Sequence, residues 1–153
     1  MRLSWMLVLV ALSMAARPTA QSTPPELSAL ASKTGLAGPI AAWCRAEFRA
    51  GTAAAFALAV PDPSGGGRYV VVDRDGAMTE LGGYRGHPEV SCYSRAEARQ
   101  LNDTIRKSQT IHGELSPRWD TAVVCGFVEE TNAVCWQYSP GSRTFVKVGG
   151  WET

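Results

Sequence analysis

Four cysteines, two histidines and a few aromatic residues next to arginines are the side chains of this sequence that could carry chemistry. Cys44, Cys92, Cys125 and Cys135 are separated by 47, 32 and 9 residues. No C-x-x-C occurs, so neither a zinc ribbon nor a thioredoxin-like redox pair is supported, and disulfides are the expected state. Four cysteines allow three pairings. If Glu129–Thr131 is a three-residue hairpin loop, Val128 faces Asn132 and, counting back, Cys125 faces Cys135. Directly opposed residues in a non-hydrogen-bonded pair come within disulfide reach, so Cys125–Cys135 is expected and Cys44–Cys92 follows by elimination. The chain-entropy model assigns roughly 3 kcal/mol to the short loop and about 4 kcal/mol to the long one.

The histidines, His87 and His112, offer less. His112-Gly113-Glu114 has the His-x-Glu of zinc deaminases without the Pro-Cys-x-x-Cys that completes their metal site. His87, His112, Glu114 and Asp120 could hold a metal only if the fold gathered them, and loop histidines without ligand spacing are more often solvated; no metal or cofactor is expected. Asp73-Arg74-Asp75-Gly76 lacks the third oxygen ligand and the distal Glu of a calcium loop, and reads better as a hairpin turn. Ser91 and Ser94 flank Cys92, but no Gly-x-Ser-x-Gly is present and Ser94 is better placed as a helix cap. Gly65-Gly66-Gly67 is followed by no Gly-Lys-Ser/Thr and is a connection, not a phosphate loop. The contact residues that stand out are Tyr84, Arg85 and His87 in a glycine-rich stretch, and Arg118 and Trp119 after Pro117. Arg, Tyr and Trp are enriched at binding hot spots because each joins a large contact area to a polar handle. Trp119 also suits the end of a sheet core.

The elements that must position these residues are mostly strands. Ile40, Ala42, Cys44, Ala46 and Phe48 alternate with Trp43, Arg45, Glu47 and Arg49, which predicts a strand. A second is expected over Ala53–Val60, then a loop through Pro61, Pro63 and the three glycines, and a third over Arg68–Asp73. Asp75-Gly76 should turn the chain into Met78–Leu81, leaving Gly82–Pro88 as a loop. Ser94 and Glu97 form a capping box ahead of Ala98, Leu101 and Ile105, predicting one principal helix over about 95–108. Thr121–Val128, Ala133–Tyr138 and Arg143–Val148 read as a meander, with Pro140-Gly141 placed for a type II turn. Val124 and Val128 share one face and Cys125 and Phe127 the other, as in a central strand covered on both sides or a sheet awaiting a partner. The sum is an α+β domain with one antiparallel sheet of six or seven strands.

The compartment follows from the N-terminus. After Arg2, residues Trp5 to Ala16 are uncharged, a run too short for the roughly 20 residues of a bilayer span but suited to a secretory signal. Cleavage is expected near residue 15 or 20, so 1–20 is the signal, 21–39 a flexible Pro-, Ser- and Ala-rich lead-in in which Glu26–Ser32 could form a turn or two of helix, and 40–153 one globular domain. Without Arg2 and Arg17 the chain keeps 13 basic against 14 acidic residues, and its charge falls from +1 to −1. That balance gives no support for nucleic-acid binding or for capture by an anionic membrane surface. Twelve of the 15 basic residues are Arg and alanine is abundant, as in GC-rich bacterial genes, which points to the periplasm or the medium. No motif specifies a reaction. The expectation is a secreted or periplasmic, non-enzymatic binding module, with protein inhibitors as one class that fits. A small hydrolase or metal-dependent enzyme using His87 or His112, and a structural envelope component, are the alternatives.

Overall fold

The computed structural model describes residues 22–36 and 38–153, so the signal segment and its cleavage positions lie outside the described residues. The described residues form two antiparallel sheets packed face to face, with one helix on each outer face. The first sheet is a meander of β1 (Ala42–Ala46), β2 (Ala55–Pro61), β3 (Gly67–Val72) and β4 (Met78–Tyr84). The second has the order β5-β7-β8-β9-β6, built from β5 (Val90–Tyr93), β6 (His112–Leu115), β7 (Val123–Glu129), β8 (Asn132–Ser139) and β9 (Thr144–Glu152). Helix α1 (Pro25–Thr34) covers the first sheet, and α2 (Arg95–Lys107) crosses the second sheet to join its edge strands β5 and β6. The chain is α+β, as expected, but with nine strands in two sheets among the described residues instead of six or seven in one.

Side-chain size decides how the layers stack. In β2 the alternation is small against large: Ala55, Ala57 and Ala59 face the second sheet, while Phe56, Leu58 and Val60 face α1. The alanines leave room for Tyr69, Tyr84, Phe48 and Trp136, which fill the space between the sheets. Large and small residues thus interdigitate across the layers, as close packing requires. The lead-in, expected to be flexible with at most a turn or two of helix at Glu26–Ser32, supplies the longer α1, whose Leu27 and Leu30 are buried with Phe56, Leu58, Val70 and Val72. Only two residues anchor it, which is why so polar a stretch reads as unpacked. On the other side Ala98 of α2 packs on Leu115, Val123 and Val148. The capping box forms as the sequence predicts: Ser94 Oγ accepts from Glu97 N at 3.2 Å, and Ser94 N donates to Glu97 Oε2 at 2.7 Å.

Tyr69 is the crossbar between the sheets. Its hydroxyl donates to Phe127 O on β7 at 2.6 Å, and the ring is fully buried. Burial pushes its pKa up to about 12, with the hydrogen bond accepted from the Glu89 backbone N–H acting the other way. Tyr84, 4.8 Å away ring to ring, is shifted up for the same reason. A tyrosine raised in the folded state stabilises it while neutral, so the contribution is complete below the ordinary value near 10 and vanishes as pH rises through about 12. Stability is therefore expected to fall by on the order of 2 kcal/mol over that window, and Tyr69→Phe to remove most of the slope. Denaturant titrations at a series of alkaline pH values check this; equal slopes for the two proteins would refute it.

Local corrections follow from register. β4 continues through Gly82 and Gly83 to Tyr84, beyond the expected Leu81, because it stays paired with β3 through Gly67–Tyr84. The β7–β8 connection is tighter than a three-residue loop: Glu129 pairs with Asn132 and Val128 bulges out. A two-residue turn plus one bulged residue preserves the offset, so Cys125 still faces Cys135. At Pro140-Gly141 the left-handed residue is Arg143, φ 56°, whose N–H donates to Ser139 O, so the connection is not the expected type II turn. Asp73–Ala77 is the hairpin turn expected there, with Gly76 at φ 90°.

Candidate functional site

Both expected disulfides form, Cys44–Cys92 and Cys125–Cys135. The first does more than the sequence implies, since Cys92 lies on β5, and the bond stitches the edge of one sheet to the edge of the other. Along this seam the chain leaves β5, caps α2 at Ser94, and later returns through Asp120 to enter β7. A cleft of about 380 Å³ opens there, lined by Arg45, Glu47, Cys92, Tyr93, Arg95 and Asp120. Ala122 N donates to Glu47 O at 3.0 Å, which closes its floor between the sheets.

The far wall is held by a buried amide. Gln137, fully buried on β8, accepts from the N–H groups of Arg118 and Trp119 at 2.8 and 3.3 Å. Its Nε2 donates to the carbonyls of Trp119 and Thr121 at 2.8 and 3.0 Å. One side chain therefore occupies four backbone groups of the irregular segment ahead of β7, and sets the position of Asp120.

Charge in the cleft is mixed. Arg45 reaches away to Glu26 at 3.3 Å, across the surface from α1. Glu47 accepts from Gly51 N at 2.9 Å. Glu97, at the cleft margin, is held below the usual carboxylate range by hydrogen bonds from the backbone and side chain of Ser94. Arg95 and Asp120 form none of the ion pairs found among the described residues, and Arg95 Nε is buried without a hydrogen-bond partner. Three carboxylates face two guanidinium groups, one of which is already paired.

The contact residues expected from sequence do not form one site. Tyr84 is buried at the end of β4, packed on Tyr69, so it is first a core residue. Beside it a hollow of about 330 Å³ is lined by Gly83, Tyr84, Arg85, Val128 and Glu129, with Arg85 N donating to Val128 O at 2.8 Å. His87 is exposed in the loop that follows. Arg118 and Trp119 lie at the opposite end of β7, about 20 Å away at the rise of a strand. Arg118 is exposed, whereas Trp119 is partly buried against the cluster of Ala98, Leu115, Val123 and Val148. The set His87, His112, Glu114 and Asp120 is not brought together: His112 and Glu114 lie on edge strand β6, and no group of three or more potential ligands occurs among the described residues. Sequence reading passed over Tyr93 and Arg95. The Cys44–Cys92 pairing was the signal that could have found them, because it places the residues after Cys92 beside those after Cys44.

Compared with protein families, with curated proteins and with solved structures, the chain matches none.

Proposed function

We propose that this chain is a non-enzymatic binding module of the periplasm or medium, and that it engages a protein partner through the seam cleft. The carrying observation is a cation and an anion that form no ion pair among the described residues, Arg95 and Asp120, set beside Tyr93 in one cleft. Arg and Tyr are the residue types that dominate binding energy when a partner desolvates them. The walls need little reorganisation, since the disulfide, the cap of α2 and Gln137 already hold them, and pre-organised sites lose less entropy on binding. Arg118, exposed beside Trp119, lies two residues before Asp120 of the cleft. Two disulfides suit an oxidising compartment, and no helix among the described residues is long and apolar enough to cross a membrane.

Affinity capture with the mature chain from an envelope extract tests this, run beside Arg95→Ala and Arg85→Ala. A partner enriched by the wild type is expected to bind Arg95→Ala about tenfold more weakly, and Arg85→Ala unchanged. Loss with Arg85→Ala alone would move the binding surface to the hollow beside Tyr84. Identical capture by all three proteins would count against either surface.

A further inference from the structure

The two disulfides sit in opposite surroundings. Cys125 and Cys135 are 3% and 0% exposed, under the α2 face of the second sheet. The hollow that touches Cys125 measures only about 30 Å³. Cys44 and Cys92 are half-buried, and Cys92 forms part of the lining of the 380 Å³ cleft.

We propose that the seam disulfide is a thiol-exchange site: a small thiol whose substituent is neutral or cationic loses its proton to solvent, attacks Cys92 Sγ in the cleft as the thiolate, becomes disulfide-linked to it, and expels Cys44 as a thiolate. The incoming sulfur supplies the electron pair of the new S–S bond, and the pair of the old bond leaves on Cys44 Sγ, which takes a proton from solvent. A second thiol then attacks the outer sulfur of the adduct, releasing a small-molecule disulfide and reduced Cys92. Two thiols are oxidised for one disulfide reduced. Access selects Cys92, because attack must come from the open side of the bond. Charge selects the thiol. Glu47, Glu97 and Asp120 outnumber Arg45 and Arg95, and Arg45 is engaged by Glu26, so an anionic thiol is repelled and one bearing an ammonium is drawn in.

Opening the bond frees one margin without dismantling the fold. The sheets remain joined by the Ala122–Glu47 and Arg85–Val128 backbone bonds, by the Tyr69 hydroxyl on Phe127 O, and by the shared core. The site uses the same cleft as the proposed partner but stands whether or not a protein docks there.

The test treats oxidised, folded protein with cysteamine or with 2-mercaptoethanesulfonate at equal thiolate concentration, followed by acid quench, alkylation and peptide mass mapping. The first product expected is the adduct on Cys92 with Cys44 alkylated, while Cys125–Cys135 opens about 100-fold more slowly. Cysteamine should react about threefold faster than the sulfonate, a ratio that shrinks in high salt and in Asp120→Asn. An adduct first on Cys44, equal opening of both disulfides, reaction only on unfolding, or an equal or faster sulfonate reaction would each overturn the proposal.

Discussion

Gly126→Ala is expected to cost about 2–3 kcal/mol, a large effect for one added methyl group in a strand. Gly126 lies on β7 directly under the Tyr69 ring, and a Cβ there would sit 2.6 Å from both Cε2 and Cζ. The ring has nowhere to go. Its hydroxyl is bonded to Phe127 O, Tyr84 lies 4.8 Å away and Trp136 6.1 Å, and the residue is fully buried. Either the sheets separate locally or the Tyr69 hydrogen bond breaks. Urea unfolding should show a lower midpoint with unchanged slope. In a double-mutant cycle, Tyr69→Leu should absorb part of the Gly126→Ala cost, because the clash disappears with the ring. A loss under about 0.5 kcal/mol for Gly126→Ala alone would mean that the interface is less tightly packed than these distances indicate.

Gln137→Leu is expected to cost more. Four backbone groups of the Arg118–Thr121 segment lose their partner at once, at roughly 1 kcal/mol each, or about 4 kcal/mol together. Leucine fills the volume but offers neither donor nor acceptor, so two N–H groups and two carbonyls must find water or stay unpaired. The segment should come loose while the strands persist. Hydrogen exchange then gives a site-specific readout: the amides of Arg118 and Trp119, which donate to Gln137 Oε1, should lose protection first. Because this segment carries Asp120, partner binding at the cleft should weaken in the same variant. Retained protection at both amides would show that the loop is held by its flanking strands instead.

The α+β class and several details of the site are legible in the sequence alone. The capping box at Ser94 and Glu97 marked the start of α2, since cap chemistry is local and its residues adjoin the helix they begin. The Cys125–Cys135 pairing followed from hairpin arithmetic, which survived an error in loop type because a bulge restored the count. β5 and β6 were missed for a physical reason. Four residues each, one wedged between Pro88 and the capping box and the other containing Gly113, are too few to show a period of two.

What the linear order of residues determined by itself was whatever depends on neighbours in the chain: alternation in β1, the Asp73–Ala77 turn, the cap of α2 and the opposition of Cys125 to Cys135. Tertiary structure decided that the strands divide into two sheets, that Tyr84 fills their interface, and that a polar lead-in becomes a docked helix. It also placed Arg95 and Asp120 in one cleft, although 24 positions separate them in the sequence. Such contacts arise from how apolar faces find each other in three dimensions, and burial carries no record of distance along the chain.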